Sequence, residues 1–420
     1  MCPLSRVAPI EGADRIRRAE ASGYVVVVGA NRVDGETGVL FPAGGCLHPA
    51  FVEAAGLAHL GVGGRVKEIR LRSVRSEGLW MSWEEFNAAL EGCKDVSLRP
   101  LAQVSEGPLS LTLEGAPIFE KYVPRTRYAC GERVIKPPKD PRVTRVFPEL
   151  YETEALFREV REIPIGATCV ATLKVHGESF RLANVGASRH PDAPPAGIWV
   201  GTRRMDFAPT AELPAREGGL GYLATLREVF GPRVREGEVV YGEIAGYRVN
   251  TGPVMKVAPG NRVKGHPYGS NVVFSYGCNA VGPLPDGNGY RAGDRWRPFV
   301  YRITQDGREL TRLEIELRCE ELKIEAVPLF GTWEHVSVDE TRDTARLRAE
   351  GVNGYLPDPL DSRHPMEGVC VRWEQLDLAT LEVKVGRAMK AKGWLFRALE
   401  GLVKDDGHLE REEAENLGEE

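Results

Sequence analysis

Between residues 23 and 79 the apolar positions fall in short runs separated by glycine turns: Tyr24–Gly29 (YVVVVG), residues 38–42 (GVLFP) and residues 65–71 (RVKEIRL). In the last run Ile69 and Leu71 alternate with Glu68, Arg70 and Arg72, which predicts a strand with one apolar and one charged face. Short strands in close succession predict a small all-β barrel at this end of the chain. Further on the period lengthens. Thr153 is placed to cap a short helix with Leu156, Phe157 and Val160 inward. Leu223, Leu226 and Phe230 mark a second helix that Gly231-Pro232 ends, and Leu310, Leu313 and Leu317 suggest a third. Between and after them VATLKV, IWVGT, VVYGEIAG, FVYRI, GVCVRW and LEVKV read as strands. Irregular mixing of this kind predicts an α+β domain rather than a regular doubly wound sheet. Residues 124–145 join the two regions. They are rich in Pro, Lys and Arg and lack a hydrophobic period, and their prolines oppose regular structure. The predicted organisation is therefore a β module (1–123), a basic Pro-rich linker (124–145), a mixed domain (146–400) and an acidic tail (401–420) whose last dozen residues, LEREEAENLGEE, are expected to be frayed.

Composition narrows the function. No stretch approaches the roughly 18 uninterrupted apolar residues of a membrane span, and the opening MCPLSRVAPIEG lacks a basic start followed by an apolar run. The expectation is a cytoplasmic protein with no membrane partner. The eight cysteines never form a C-x-x-C pair, which argues against structural zinc and against a disulfide framework; most are expected to be small buried hydrophobes. A net charge of −5 gives no global attraction to nucleic acid, so such binding would need local basic patches. Two candidates are Arg65, Lys67, Arg70, Arg72 and Arg75, and the basic stretch 124–145. No G-x-x-x-x-G-K-[ST] loop occurs, so any phosphate is held by another device.

Candidate chemistry centres on CVATLKVHGESF. Lys174 ends an apolar run and is followed at once by His176, Gly177 and Glu178, a lysine leaving a strand and entering a glycine turn. An unperturbed lysine is only about 0.04% neutral at pH 7, so a nucleophilic one needs burial, a nearby cation or a metal to release its proton. Gly177 would let backbone approach a ligand closely. Downstream come a strand-borne arginine (VGTRR), an apolar-G-E (VVYGEIAG), an apolar-E-G (HPMEGVCVRW) and a V-K (LEVKVG).

K-x-[DH]-G with that ordered set resembles the covalent nucleotidyltransferases, which comprise DNA ligases, RNA ligases and mRNA capping enzymes. The resemblance covers roughly residues 147–392, and KVHGES is similar to the RNA ligase branch. It implies a ligase-type domain of antiparallel-rich sheets with flanking helices. It also implies an ATP-dependent RNA ligase that joins 3′-OH and 5′-phosphate ends through a lysyl-AMP and an adenylylated 5′ end, in RNA repair, on RNA or an RNA/DNA hybrid nick. By the same resemblance Lys174 is the nucleophile, and Arg203 contacts the nucleotide sugar and orients the end to be joined. Glu243 contacts ribose or metal-bound water, Tyr301 stacks on adenine, Glu367 organises the catalytic metal and Lys384 neutralises the α-phosphate. His176 and Gly177 belong to the nucleotide site, and Glu243 and Glu367 are hard oxygen ligands suited to Mg²⁺ or Mn²⁺. The family's final motif usually reads K-x-K, and LEVKVG offers only Lys384, with Arg387, Lys390 or Lys392 as substitutes. A DNA ligase, a capping-type enzyme and a non-catalytic RNA-binding protein with a decayed site remain alternative readings. PIEGADRIRRAEASGYVVVVGANRV resembles the opening of an OB-fold module found ahead of the ligase domain in one RNA ligase family, which implies a grip on the RNA bearing the 3′-OH. The glycine-rich insertion 251–296 is expected to form loops over the site.

Overall fold

The computed structural model describes residues 2–60, 64–72, 74–93, 112–113, 116–121, 140–151, 153–190, 192–203, 205–213, 221–248 and 252–401. The chain forms two compact units, one built on the N-terminal residues to Glu132 and the other on Arg133–Leu399. Most of the expected linker (124–139), Arg204 and nearly all of the acidic tail (402–420) lie outside the described residues. No described helix is long and apolar enough to cross a membrane.

In the N-terminal unit β1 (Cys2–Ile10), β2 (Ala13–Ala21), β3 (Tyr24–Gly29), β4 (Thr37–Pro42) and β5 (Gly78–Ser82) form one antiparallel sheet in the order β3-β2-β1-β4-β5. Its two ends approach each other. Glu77 N–H donates to Val25 O at 2.7 Å and Val27 N–H donates to Ser76 Oγ at 3.0 Å, so the sheet curls into a nearly closed barrel around Leu4, Ala19, Val26 and Trp80. The unit is not all-β, contrary to expectation. Helix α1 (Pro49–Ala54) and helix α2 (Trp83–Gly92) pack on it through a cluster of Phe41, Phe51 and Phe86. The second helix announces itself in the sequence, because Ser82 and Glu85 form a capping box ahead of the buried Phe86, Ala89 and Leu90. The strand expected over 65–71 shrinks to Ile69–Leu71, paired with Val74–Ser76. Alternation therefore does not reach Glu68, which is buried rather than on a charged face and lies 3.6 Å from Arg75. Arg72 is exposed, while Arg65, Lys67 and Arg75 are half-buried.

The larger unit holds two main sheets. One contains β6 (Thr168–Leu173), β11 (Leu329–Glu334), β12 (Gly368–Asp377), β13 (Glu382–Val385) and β14 (Met389–Lys392), in the order β11-β6-β12-β13 with β14 also paired to β12. The other contains β7 (Glu178–Val185), β8 (Gly197–Thr202), β9 (Glu238–Arg248) and β10 (Trp296–Gln305), in the order β8-β7-β9-β10. All of these neighbours are antiparallel. The expected mixed α+β domain is thus observed. Period-two alternation gives the second sheet two working faces. Phe180, Leu182, Val240 and Val300 pack beneath helices α5 (Gly221–Thr225) and α6 (Arg312–Leu322). On the opposite face Ala183, Val185, Val239 and Tyr241 meet Phe147, which follows helix α3 (Pro141–Val146). Each such fully buried aliphatic or aromatic side chain contributes roughly 1.5–3 kcal/mol.

Several helix expectations need correction. α3 forms inside the stretch assigned to the linker, because Asp140 caps it and Pro141 occupies the first turn, where a missing N–H costs nothing. Helix α4 (Leu156–Glu159) has Ala155, not Thr153, at its N-cap. α5 continues as a π turn (Leu226–Phe230) and then a 3₁₀ turn carrying Pro232, rather than stopping at Gly231. In α6 a Thr311/Glu314 capping box fixes the start, so Ile315, Cys319 and Leu322 face inward while Leu313 and Leu317 are exposed. Helices α7 (Val338–Glu350) and α8 (Trp394–Leu399) went unpredicted. The buried face of α7 is Thr341, Arg342, Ala345 and Ala349, which shows no apolar period. Of the described cysteines, Cys2, Cys93, Cys169, Cys278 and Cys319 are buried, and Cys46 and Cys370 partly so; all are free thiols.

Candidate active site

Lys174 is the first residue beyond β6, in the segment that leaves one main sheet of the larger unit and enters the other at β7. Its N–H donates to Gly368 O at 2.9 Å, tying it to the start of β12. The pocket it faces is lined from both sheets. Thr172, Cys370 and Arg372 come from the first, Ser179, Glu243, Tyr301 and Arg302 from the second, and Tyr151, Thr153 and Arg203 from segments beside them. Ser179 and Glu243 are register partners across β7 and β9, two positions along from the pair Arg181 and Tyr241. The same sheet face therefore changes from packed core to pocket floor as it nears Lys174.

Charge converges on Glu367, which is 1% exposed. Its Oε1 lies 2.9 Å from Lys174 Nζ and 2.7 Å from Lys392 Nζ, and its Oε2 lies 3.3 Å from His176 Nδ1. Burial would raise this carboxyl, but Lys174, Lys392 and His176 hold it well below the usual carboxylate range. Burial would likewise lower Lys174, but Glu367 foremost, with Cys370 and Glu243, holds the ammonium well above its ordinary range. In this state Lys174 is a protonated partner in an ion pair, not a free amine. Glu243 behaves oppositely. Burial pushes its carboxyl up to about 7, against the pull of Lys174 and of the Ser179 hydroxyl that donates to Oε1 at 2.8 Å. Its Oε2 is buried without a protein partner.

No group of three or more His, Cys, Asp or Glu close enough to hold a metal occurs among the described residues. The donor set present is one or two hard carboxylates, including the unpartnered Glu243 oxygen. That suits an ion such as Mg²⁺ or Mn²⁺, which keeps several waters and shares its sphere with substrate phosphates.

The structure brings Lys174, Arg203, Glu243 and Tyr301 to one pocket, with Glu367 buried behind Lys174. Arg203 is exposed at its position just after β8. Tyr301 serves two surfaces, packing partly against the Phe147 and Tyr241 cluster while lining the pocket. His176 is not among the lining residues; its ring meets Phe274 and Phe396 edge-on at 4.7 and 4.9 Å and its Nδ1 supports Glu367. Gly177 has a structural reason different from the expected one. A Cβ there would come within 2.4 Å of Ile244 O, so the glycine allows the turn to close on β9.

Lys384 is a correction. It lies on β13, 66% exposed, paired with Asp377 at 2.7 Å and outside the pocket. The pocket lysines are Lys390 and Lys392 on β14. In MKAK the alternation buries Met389 and Ala391 and turns both lysines to the other face, which is the K-x-K spacing sought one strand too early. That signal was present in the sequence. Arg302, Glu309, Arg312 and Arg372 also line the pocket and were missed. Arg302 is held by both oxygens of Glu309 and Arg372 by Glu374 at 2.6 Å, pairings that only the fold creates. The insertion is corrected too, since none of its described residues lines the pocket.

A family model described as RNA ligase matches residues 167–392. Among solved structures the chain is similar to a lysine-to-alanine mutant of Naegleria gruberi RNA ligase with ATP and Mn, at 16% identity over 95% of this chain and 97% of that one, with a TM-score of 0.54. It is also similar to the Naegleria gruberi RNA ligase with PPi (15% identity, 94% and 96% coverage, TM-score 0.52) and to an apo aspartate-to-alanine mutant (16%, 95% and 96%, TM-score 0.53). No curated protein matches the chain.

Proposed function

Because the chain belongs to the RNA ligase family, we propose that it seals RNA 3′-OH and 5′-phosphate ends at the expense of ATP, with AMP carried on Lys174. The observation that carries this reading is the convergence of Lys174, Lys392 and Glu367 at a pocket that also presents Glu243, Tyr301 and Arg203. Once Lys174 Nζ has lost its proton, its lone pair attacks the α-phosphorus, a P–N bond forms, and the bond to the β-phosphate oxygen breaks to release pyrophosphate. The 5′-phosphate of the RNA then displaces the lysine, and a 3′-OH finally displaces AMP. Lys390 and Lys392, rather than Lys384, meet the charge that grows on the phosphoryl oxygens. Tyr301 offers a face to the purine, and Arg203 reaches the sugar or the incoming end. Glu243 and Glu367 would hold Mg²⁺ or Mn²⁺, which supplies positive charge against the phosphates and weakens the grip of Glu367 on the Lys174 proton. The likeness to a Naegleria gruberi ligase with ATP and Mn supports that choice of nucleotide and ion.

For the N-terminal unit the reading is an OB-like module that grips the RNA bearing the 3′-OH. Its nearly closed sheet and the exposed Arg72 support this. The protein incubated with a divalent cation and α-labelled ATP or GTP tests the central claim. ATP should label the wild type through a bond that survives denaturing electrophoresis and is released by acid, and Lys174→Ala should stay unlabelled. Label from GTP alone would point to capping chemistry, and no label would sink the reading. Nicked RNA, DNA and hybrid duplexes then report strand preference.

A further inference from the structure

The segment from Gly252 to Arg295 contributes nothing to the pocket lining, yet it reaches the nucleophile from behind. Tyr276 is fully buried, and its hydroxyl accepts the His176 N–H at 2.6 Å, two residues from Lys174. Holding it there has a conformational cost. Tyr276 sits at φ +51°, a left-handed conformation that a bulky non-glycine residue rarely adopts. Strain of this kind persists only where the surroundings over-determine it, and here they do. Tyr276 N–H donates to His364 Nε2 at 3.4 Å, and its carbonyl accepts from Arg297 Nη1 at 2.8 Å. The flanking Ser275 Oγ and Gly277 N–H both donate to Asp361 Oδ2, at 2.5 and 3.0 Å. The ring packs edge-on against His364 at 4.8 Å.

We propose that Tyr276 is a positioning residue for the first chemical step: its hydroxyl fixes the His176 backbone and thereby the placement of Lys174 against Glu367. The segment is then a buttress to the nucleophile loop rather than a lid. This rests on the reading of Lys174 as the adenylylated residue. It acts on rate rather than on nucleotide affinity, because Tyr276 touches none of the pocket surface.

Tyr276→Phe keeps the ring and removes only the hydroxyl. Single-turnover labelling with α-labelled ATP should show the rate constant at saturating ATP falling about tenfold, as expected from losing one buried, well-aligned hydrogen bond. The ATP concentration for half-saturation should change less than about twofold, and the thermal midpoint should show the variant folded. Ser275→Ala, which loosens the clamp but leaves the hydroxyl, should fall between wild type and Tyr276→Phe. Equal rate constants for the wild type and both variants overturn the inference and leave the ligase reading intact. So does a loss confined to half-saturation. No label on the wild type overturns both.

Discussion

Glu243→Gln should make the protein more stable at alkaline pH while abolishing its chemistry. The folded protein holds the Glu243 carboxyl at about 7 instead of its usual 4.5, because burial outweighs the pull of Lys174 and Ser179. Each pH unit of such displacement corresponds to about 1.4 kcal/mol, so ionising this group in the folded state costs about 3 kcal/mol as an upper figure. The sign follows from proton binding. Below pH 4.5 the carboxyl is protonated in folded and unfolded chains alike and the cost is absent. It grows as pH rises towards 7 and is complete above that. Glutamine has the shape of the neutral acid and still accepts from Ser179, so it escapes the cost without opening a cavity. Thermal unfolding of the larger unit, followed by calorimetry without nucleotide or metal, should show the variant melting higher by roughly 6–10 °C at pH 8, with the gap closing towards pH 4.5. Under the proposed metal-holding role of Glu243, saturating Mg²⁺ or Mn²⁺ with ATP should narrow the gap at pH 8. A variant no more stable than wild type at pH 8, or an advantage independent of pH, would refute the claim that this carboxylate is held ionised at a cost.

Lys384→Ala should leave the rate of Lys174 adenylylation within about twofold of wild type, because an exposed surface pair contributes little. Lys392→Ala should reduce it at least about a hundredfold, the scale of losing one charged partner of a developing phosphoryl charge; labelling rates measured side by side would reverse the assignment if the order were inverted. In the N-terminal unit, Arg72→Glu should weaken sealing of nicked RNA several-fold while leaving Lys174 labelling unchanged, and equal loss of both would argue against an RNA-gripping role.

The strands that carry the site were readable because each joins a strong apolar alternation to a polar departure. VATLKV carries Lys174 just past the end of β6, and VVYGEIAG places Glu243 among buried neighbours. What failed were features whose cause lies elsewhere in the chain. Lys392 is the exception, since MKAK carries the K-x-K spacing in the sequence, and the pairing of both strands with β12 places it and not Lys384 at the pocket. Arg302 and Arg372 look like ordinary surface charges until Glu309 and Glu374 are folded against them. Gly177 was read as room for a ligand when the neighbour that demands it is the carbonyl of Ile244. The N-terminal helices were lost for a different reason. The strand pattern around them was strong enough to obscure a capping box that the sequence states plainly at Ser82 and Glu85.

The pairing of β6 with β12 sets Thr172 beside Cys370, 198 positions away, with Thr172 Oγ1 donating to the Cys370 carbonyl at 3.4 Å. A ribosome that has finished Lys174 has therefore not yet made its partners, for Glu367, Lys390 and Lys392 lie far later in the chain. Chains that stop between Lys174 and Glu367 hold the lysine but lack Glu367, the carboxylate that pairs with it, and Lys392, which shares that carboxylate. Under the proposed function such fragments should take no label from α-labelled ATP.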